Sequence, residues 1–241
     1  MLDLTVLSPH RDDAAFSLFL ALSYWSSSGV RLRVVNFFTV SEYGPRVHSG
    51  ALSVTTARRR EDHRVLARID GLAVHDLQLL DAPIRLGISP ASVFEPGLAE
   101  SIAQSEANAL ARRIRKYFRR GLVLAPLALG DHVDHHLVRR ASIESSFAHK
   151  LGFYEDLPYA MWASDDVLRA RVSECEDSTQ TVLKPVVVRS RAFLQKRAAI
   201  AGYQSQIALA DANAIARFAS RYGGERIWIP KHSRAWSLVA H

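Results

Sequence analysis

The sequence of 241 residues predicts an α/β fold with one mostly parallel β-sheet and helices on both of its faces. Short apolar segments rich in Val, Leu and Thr alternate four times with longer amphipathic segments between residues 2 and 149. This alternation is typical of repeated strand–helix units. Because strand–helix–strand crossovers are almost always right-handed, the strands are expected to run in parallel and the helices to cover the sheet.

The predicted strands are short apolar segments that end at polar residues or turns. They cover residues 2–8, 31–40, 73–80 and 122–128. Apolar residues dominate the first and the last of these segments, which indicates buried strands. The segment AVHDLQLL alternates in polarity, as a half-exposed strand does.

The predicted helices follow these strands and carry apolar residues at helical spacing. They cover residues 14–30, 55–71, 98–120 and 134–149. After residue 150 the alternation is weaker, and there we predict extended segments, a helical region and a last short strand at 151–160, 181–188, 190–221 and 225–230. Four strand–helix units in this order indicate a Rossmann-like sheet.

Composition and length are those of a single globular domain, which we predict over residues 1–241. The chain is 48% hydrophobic and 23% charged, values that exclude a disordered protein. The longest uncharged run, residues 14–30, contains five serines and is too short and too polar for the roughly 20 apolar residues of a membrane span. No basic segment precedes it, so we expect a cytoplasmic protein. The single cysteine, Cys175, fits a reducing compartment.

The formal net charge of +7 leaves a basic nucleic-acid-binding protein as an alternative. The basic residues are dispersed, and the segment ARRIRKYFRR, which ends at Arg120, has apolar residues at the spacing of a packed amphipathic helix. It lacks an aromatic stacking platform, and the chain has no zinc-finger cysteine spacing. Both observations speak against nucleic acid as the partner.

Two polar clusters follow the first and the fourth predicted strands. They are SPHRDDAAFS, from Ser8, and LGDHVDHHLVRRA, from Leu129. Either cluster alone would be weak evidence for a site. Ligands of an open parallel sheet bind beyond the carboxyl ends of its strands, so both clusters are expected at one edge of the sheet.

His10, Asp13 and His135 in these clusters supply two imidazoles and one carboxylate, a set that can hold zinc with a fourth position open for water. Zinc lowers the pKa of such a water to roughly 7. Asp12 and His132 lie beside the three residues in the sequence and could act as base and acid. The clusters therefore predict hydrolysis of an amide.

The same segments resemble motifs of a known family. SPHRDDAAFS is similar to the PHPDD motif, and GDHVDHH to the HxDH motif, of the PIG-L/LmbE-like zinc-dependent N-deacetylases. The resemblance continues through ARRRED, LDAPIR, FYEDLPYA, KRAAIAGYQSQ and GGERIW, which begin at residues 57, 80, 153, 196 and 223. It covers nearly the whole chain.

The resemblance implies that His10, Asp13 and His135 bind one Zn²⁺ per chain, with Fe²⁺ as the alternative. It implies that Asp12 is the general base and that His132 stabilises the oxyanion or protonates the leaving amine.

Asp134 would be a carboxylate that orients a histidine, and we expect it to favour the protonated form of His132. Arg58 best matches a substrate-contacting arginine and Glu61 is its helix partner, although a structural role stays open for both. His48 is added to the substrate-binding residues because its loop should overhang the site.

Two positions depart from the family pattern: Arg11 replaces the usual proline, and Ala14 an often-found glutamate. The predicted ligands are unaffected, so we expect an active zinc hydrolase. Its predicted substrate is a small molecule, an amino sugar or glycoconjugate from which it removes an N-acetyl or other N-acyl group. An amidase acting on another conjugate at the same site is the alternative, and a homo-oligomer stays open.

Core packing is expected for the tryptophans, in preference to a sugar site at Trp162, Trp228 and Trp236.

Overall fold

A computed structural model of the chain describes residues 2–46, 50–145, 148–237 and 239. Within these residues one sheet contains the strands β1 (Asp3–Ser8), β2 (Arg31–Val40), β3 (Ala73–Leu80), β4 (Leu122–Pro126), β5 (Leu151–Tyr154), β6 (Leu183–Arg189) and β7 (Gly224–Pro230). The α-helices are α1 (Asp13–Ser27), α2 (Ala51–Leu66), α3 (Ala82–Leu86), α4 (Gln104–Arg120), α5 (Val133–Ser145), α6 (Asp165–Thr179), α7 (Phe193–Ile200) and α8 (Leu209–Tyr222).

The strand order in the sheet is β3-β2-β1-β4-β5-β7-β6. The pairs among β3, β2, β1, β4 and β5 are parallel, whereas β7 runs antiparallel to β5 and β6. The predicted mostly parallel α/β sheet is therefore confirmed, and its first five strands have the order of a Rossmann-like fold.

The strand order reverses between β1 and β4, which are neighbours at the centre of the sheet. The chain leaves β1 towards β2 and leaves β4 towards β5, so the two loops that follow these strands diverge and open a crevice. Right-handed crossovers place α1 and α2 on one face of the sheet and α4 and α5 on the other. The fold thus brings both polar clusters of the sequence to one edge, as predicted.

Helix α4 shows how the basic residues are accommodated. It buries Leu110, Ile114 and Phe118, while Arg112 and Arg113 on its other face are exposed. The basic segment is a solvated face of a packed amphipathic helix.

Helix α1 is kinked at Leu18, where φ is −132° and ψ is 17°. A buried ion pair between Lys196 and Glu225 occupies the kink. The Lys196 ammonium donates to the carbonyl of Phe16 at 2.6 Å, and the Glu225 carboxylate accepts from the backbone N–H of Ala21 at 2.8 Å. Side chains inserted into the hydrogen-bond ladder of a helix are a recognised cause of kinks, and here they satisfy the opened backbone groups.

The structure differs from the sequence-based elements mainly after residue 150. Helix α6 was not predicted, because Val172 and Cys175 are its only buried residues and leave almost no apolar periodicity. The predicted helical region at 190–221 consists of α7 and α8, which residues 201–208 separate. Among the residues described here, no helix is both long and apolar enough to cross a membrane.

Candidate metal and catalytic site

The loop between β1 and α1 positions the first polar cluster. The Ser8 hydroxyl donates to the carbonyl of His10 at 2.5 Å and accepts from the backbone N–H of Ala14 at 3.1 Å. The backbone N–H of His10 donates to Asp13 Oδ2 at 2.7 Å. These bonds fix a tight turn in which the His10 ring and the Asp13 carboxylate meet, with 3.4 Å between His10 Nδ1 and Asp13 Oδ2.

Helix α5 brings His135 to the same point. Its Nε2 atom lies 3.4 Å from Asp13 Oδ2, and the ligand atoms of His10, Asp13 and His135 all lie within 4.8 Å of one another. The three residues predicted as metal ligands are therefore together, and all three are buried.

The unusual feature of His135 is its unpartnered nitrogen. Its Nδ1–H donates to Asp156 Oδ2 at 2.8 Å, and Asp156 Oδ1 accepts from the backbone N–H of Leu129 at 3.3 Å. Nε2, on the opposite side of the ring, is buried and has no hydrogen-bond partner within the described part of the chain. Buried polar atoms are normally satisfied. The tautomer that Asp156 selects leaves the lone pair of Nε2 aimed at His10 and Asp13, as a metal ligand requires.

Asp134 supports the second histidine. Its Oδ2 accepts from His10 Nε2 at 3.1 Å and from the backbone N–H of Ala82 at 2.9 Å, and its Oδ1 accepts from Arg85 at 2.9 Å. His10, His132 and Asp134 also form a group of potential ligands within 4.8 Å. In that group both oxygens of Asp134 are already hydrogen-bonded, so His10, Asp13 and His135 fit a metal better.

The electrostatics of the cluster favour positive charge at its centre. Burial alone would lower the pKa of His10, but the hydrogen bonds and charges of Asp13 and Asp134 outweigh it and raise the pKa to about 10. A divalent cation between neutral imidazoles would satisfy the same negative surroundings. The donor set and its field therefore fit a divalent metal ion.

His132 has surroundings unlike those expected from the sequence. The expected pairing of the Asp134 carboxylate with His132 is not found, because this carboxylate is hydrogen-bonded to His10 and Arg85. Its charge still favours a protonated His132, but burial and the charge of His10 outweigh this effect on the pKa of His132. It is the backbone N–H of Asp134 that donates to His132 Nδ1, at 3.1 Å. Burial, together with the charge of His10, holds the pKa of His132 well below its usual value. The ring is therefore neutral, and Nε2 carries its proton.

Asp12 and Arg58 meet at the side of the cluster. Arg58 Nη2 donates to Asp12 Oδ1 at 3.2 Å, while Nη1 donates to the Ser41 hydroxyl at 3.2 Å and to the carbonyl of Tyr43 at 3.3 Å. Arg58 is thus close to the cluster, but its guanidinium is committed to holding Asp12 and the loop after β2.

Glu61, the next predicted substrate-binding residue, is engaged away from the cluster. The Glu61 carboxylate accepts hydrogen bonds from the backbone N–H and hydroxyl of Ser205, at 2.8 and 2.6 Å. This anchors the loop between α7 and α8 and leaves a direct substrate contact without support in the geometry. His48 lies outside the described residues. His136, next to His135, pairs through Nε2 with Asp131 at 3.1 Å.

A cavity of about 180 Å³ opens over the cluster. Predicted site residues contribute polar groups to its lining, namely His10, Asp12, Asp13, Arg58 and His132. The remainder is largely apolar or aromatic and includes Phe16, Tyr43, Pro83, Pro90, Val93, Phe94, Pro158, Tyr159 and Ile207. No role was predicted for Phe94, Tyr159 or the lining residue Asp81. Phe94 and Tyr159 belong to short 3₁₀-helices and Asp81 caps the short helix α3, and such short segments show no apolar periodicity.

Arg11, which departs from the family pattern, is buried behind the cluster. Its guanidinium donates to Asp76 at 2.8 Å and to the carbonyl of Thr39 at 2.7 Å. Asn36 links Asp76 to Asp62, with donor–acceptor distances of 3.0 and 2.9 Å. Arg11 therefore ties the turn before α1 to β2 and β3 through paired charges, and does not enter the cavity lining.

The chain is similar in sequence to known proteins. Residues 5–146, more than half of the chain, match the PIG-L family, described as GlcNAc-PI de-N-acetylase. A 2'-N-acetylparomamine deacetylase of Streptomyces fradiae is 33% identical over 161 residues, which are 64% of this chain and 57% of that protein. The match thus spans little more than half of that relative's length.

Solved structures share the fold. A deacetylase in complex with teicoplanin, from the biosynthesis pathway of teicoplanin, has a TM-score of 0.65 and 22% identity, with coverage of 95% of this chain and 99% of that chain. A 4-carboxy-2-hydroxymuconate hydratase of Pseudomonas putida has a TM-score of 0.60 and 17% identity, with coverage of 92% and 86%. The assignment of residues 1–241 to one domain stays a prediction. The family match nonetheless includes both polar clusters, and this chain belongs to the PIG-L family.

Proposed function

We propose that the protein is a metal-dependent hydrolase that removes an acetyl or other acyl group from the nitrogen of an amino sugar or glycoconjugate. The observation that carries this proposal is the buried Nε2 of His135, which has no hydrogen-bond partner among the described residues and converges with His10 and Asp13, two residues that line a cavity. Membership of the PIG-L family and the name of the Streptomyces fradiae relative support N-deacetylation as the reaction.

His10, Asp13 and His135 would hold the metal, with Asp134 and Asp156 orienting the two imidazoles. Bound there, a divalent ion would polarise the amide carbonyl and ease deprotonation of water. Two imidazoles and one carboxylate suit zinc, which we propose as the ion, and they also suit ferrous iron.

Asp12 would act as the general base. Its carboxylate borders the cavity, and the hydrogen bond from Arg58 fixes its orientation. A carboxylate held in this way can accept a proton from the attacking water and pass it to the departing nitrogen. Arg58 then serves the reaction by positioning Asp12.

His132 would stabilise the oxyanion. Because its Nδ1 accepts a backbone hydrogen bond, the proton of the neutral ring lies on Nε2 and can be donated to the oxygen that gains charge in the transition state. A neutral donor fits the lowered pKa of His132 better than an imidazolium acid does.

The alternative functions differ from N-deacetylation in the reaction or in the ligand. An amidase for another conjugate would use the same residues. A hydratase, such as the structural relative of Pseudomonas putida, would add water without releasing a carboxylate. A nucleic-acid-binding protein would show binding that weakens steeply with salt. A cytoplasmic location and any homo-oligomer stay predictions.

The decisive experiment measures acetate release from N-acetylated amino sugars and glycoconjugates, 2'-N-acetylparomamine among them, by the purified protein. Treatment with a chelator should abolish release, and added Zn²⁺ should restore it. His135→Ala should lose metal and activity, whereas the matched variant His136→Ala should keep both, because His136 faces Asp131. Full metal content in His135→Ala would refute the ligand assignment, and the absence of acetate release from every compound would refute the proposed reaction.

A further inference from the structure

Arg11 lies in the turn between the proposed metal ligand His10 and the proposed base Asp12. The residue is 4% exposed, and its side chain is not part of the cavity lining. The usual residue of the family pattern at this position is proline, whose ring restricts the backbone by itself. An arginine has no such restriction, so the conformation of the turn after His10 depends on what the guanidinium binds.

The carboxylate of Asp76 in β3 is the charged partner of Arg11. Asp76 Oδ2 accepts from Nε of Arg11 at 3.2 Å and from Nη2 at 2.8 Å, and Oδ1 accepts from the Asn36 amide at 3.0 Å. Burial alone would raise the pKa of Asp76, but the hydrogen bonds from Arg11 and Asn36 lower it. Because a guanidinium stays charged, Arg11 and Asp76 form an ion pair that compensates both charges where little water reaches them.

The remaining terminal nitrogen of Arg11 binds the backbone of two other elements. Nη1 donates to the carbonyl of Thr39 in β2 at 2.7 Å and to the carbonyl of Thr55 in α2 at 3.2 Å. The Thr55 hydroxyl accepts from the backbone N–H of Ser41 at 3.0 Å and donates to its carbonyl at 3.1 Å. One side chain thus joins the turn after β1 to β2, β3 and α2 and, through Thr55, to the loop after β2.

Arg58 joins Asp12 to the same elements. It lies in α2 one turn after Thr55, and it donates to both the Asp12 carboxylate and the Ser41 hydroxyl. The backbone of Asp12 therefore follows a residue that Arg11 anchors, while the carboxylate of Asp12 is anchored by Arg58. The position of this carboxylate depends on both arginines.

The proposed metal ligands in this turn have anchors that do not involve the Arg11 side chain. Asp13 accepts from the backbone N–H of His10 at 2.7 Å, and the His10 ring is hydrogen-bonded to Asp134 at 3.1 Å. Loss of the Arg11 guanidinium should therefore displace Asp12 more than it displaces His10 or Asp13.

Resting on the proposed function, we propose that Arg11 is a positioning residue that acts through Asp12. Its hydrogen bonds hold the backbone of the turn so that Asp12, bound to Arg58, stays at the border of the cavity. In this chain an ion pair and two contacts to backbone carbonyls supply the restriction that a proline would give. A displacement of about 1 Å in a catalytic group can cost roughly 10²-fold in rate.

Arg11→Met tests this role, because methionine is long and apolar but has no N–H donors. For the N-acetylated amino sugar that the wild-type protein hydrolyses fastest, kcat/KM for acetate release should fall by about 10- to 100-fold, mainly through kcat. Metal affinity, measured by competition with a chelator, should stay at the wild-type value. The matched control Arg226→Met removes an arginine that binds Glu155 at 2.9 Å and should leave kcat/KM unchanged.

The double variant Arg11→Met with Asp76→Asn separates stability from positioning. It removes the carboxylate that the single variant leaves unpaired, so the thermal midpoint should recover part of its loss. The contacts to the carbonyls of Thr39 and Thr55 stay absent, so kcat should remain low.

A double-mutant cycle with Asp12 shows whether Arg11 acts through this residue. Arg11→Met should lower kcat/KM in the wild-type background and have little effect when Asp12→Asn is already present. If Arg11→Met alone does not fold, the cycle is measured in the Asp76→Asn background.

Three results would overturn the positioning role while leaving the proposed deacetylation intact. They are no loss of kcat in Arg11→Met, an equal fold-loss with and without Asp12→Asn, and recovery of kcat together with the thermal midpoint in Arg11→Met with Asp76→Asn. A loss of metal affinity in Arg11→Met would show that Arg11 acts on the ligands and would also overturn it. No acetate release by the wild-type protein from any N-acetylated compound would instead overturn the proposed function.

Discussion

The cluster of His10, Asp13 and His135 and the Lys196–Glu225 pair at the kink of α1 are both buried but differ in how their polar atoms are satisfied. In the pair, the ammonium has the Glu225 carboxylate and the carbonyl of Phe16 as partners, and the carboxylate also accepts a backbone N–H. In the cluster, His135 is held by Asp156, yet its Nε2 has no hydrogen-bond partner among the described residues and lies 3.4 Å from the Asp13 carboxylate. We therefore expect the hydrogen-bonded pair to stabilise the fold, whereas the proposed function assigns the open Nε2 of His135 to a ligand from outside the chain.

Substitution of Asp12, beside the proposed metal cluster, is expected to have the largest effect on activity. Asp12→Asn should lower kcat/KM by about 10²–10⁴-fold, the range of a general base, because the amide cannot accept the proton of water. Metal content and the thermal midpoint should stay at wild-type values, since Asp12 is not among the proposed ligands. Near wild-type turnover by the metal-loaded variant would contradict the assignment.

Substitution of Lys196 tests the buried Lys196–Glu225 ion pair. Lys196→Met leaves the Glu225 carboxylate buried without its cation, and the free energy of unfolding should fall by about 3–5 kcal/mol, measured by denaturant titration. The double variant Lys196→Met with Glu225→Gln removes the unpaired charge and should recover part of this loss. Activity per folded molecule should change far less than in Asp12→Asn. A loss below about 1 kcal/mol in the single variant would show that the pair does not stabilise the fold.

The Asp156 carboxylate shares a property with each group. Both of its oxygens accept hydrogen bonds, and one of these bonds orients the proposed metal ligand His135. Asp156→Asn should weaken metal affinity by about 10- to 100-fold, the usual effect of losing a carboxylate behind a ligating histidine, measured by competition with a chelator. The neighbouring Glu155→Gln is the matched control, since Glu155 binds Arg226 and Trp228. Equal metal affinity in both variants would contradict the orienting role.

Glu155 and Asp156 show how much of the site can be predicted from the sequence. The apolar periodicity predicted the strands on both sides of the crevice, and the parallel topology brought His10, Asp13 and His135 together. The segment FYEDLPYA was recognised as part of the family resemblance, but nothing in its composition tells which carboxylate faces the cluster. Side chains alternate in direction along an extended segment, so Glu155 and Asp156 point to opposite sides. Which of these two sides contains His135 is determined only by the packing of the sheet.

The predicted core position of Trp162 is wrong for a related reason, since the side chain is 70% exposed. The preference of tryptophan for buried positions predicts a core location for Trp162, as it correctly does for Trp25 and Trp236. Trp162 follows a single turn of 3₁₀-helix, Tyr159–Met161, whose position depends on contacts with the loop after β4. Hydrophobicity gives a general tendency to be buried, whereas the exposure of this side chain is a property of the tertiary structure.

Asp62 provides a test of pH dependence, since it is a buried carboxyl group that is hydrogen-bonded but has no direct ion pair with any other described residue. It accepts from Tyr203 at 2.7 Å and from Asn36 at 2.9 Å, and burial raises its pKa to about 8. Between the ordinary value near 4 and this raised value, the folded protein keeps a proton that the unfolded chain releases. The contribution of Asp62 to the free energy of unfolding is therefore complete below about pH 4 and is lost as the pH rises towards about 8.

Asp62→Asn should remove this dependence, because the amide does not titrate and can still accept from Tyr203. Measured by denaturant titration at intervals from pH 4 to pH 8, the stability of the wild-type protein relative to the variant should fall with rising pH, by at most about 1.4 kcal/mol per pH unit. Above about pH 8 the difference should level off, since Asp62 is then ionised in both states. A difference that stays constant over this range would show that Asp62 is ionised in the folded protein, with Arg11 and Asn36 compensating its charge as Lys196 compensates Glu225.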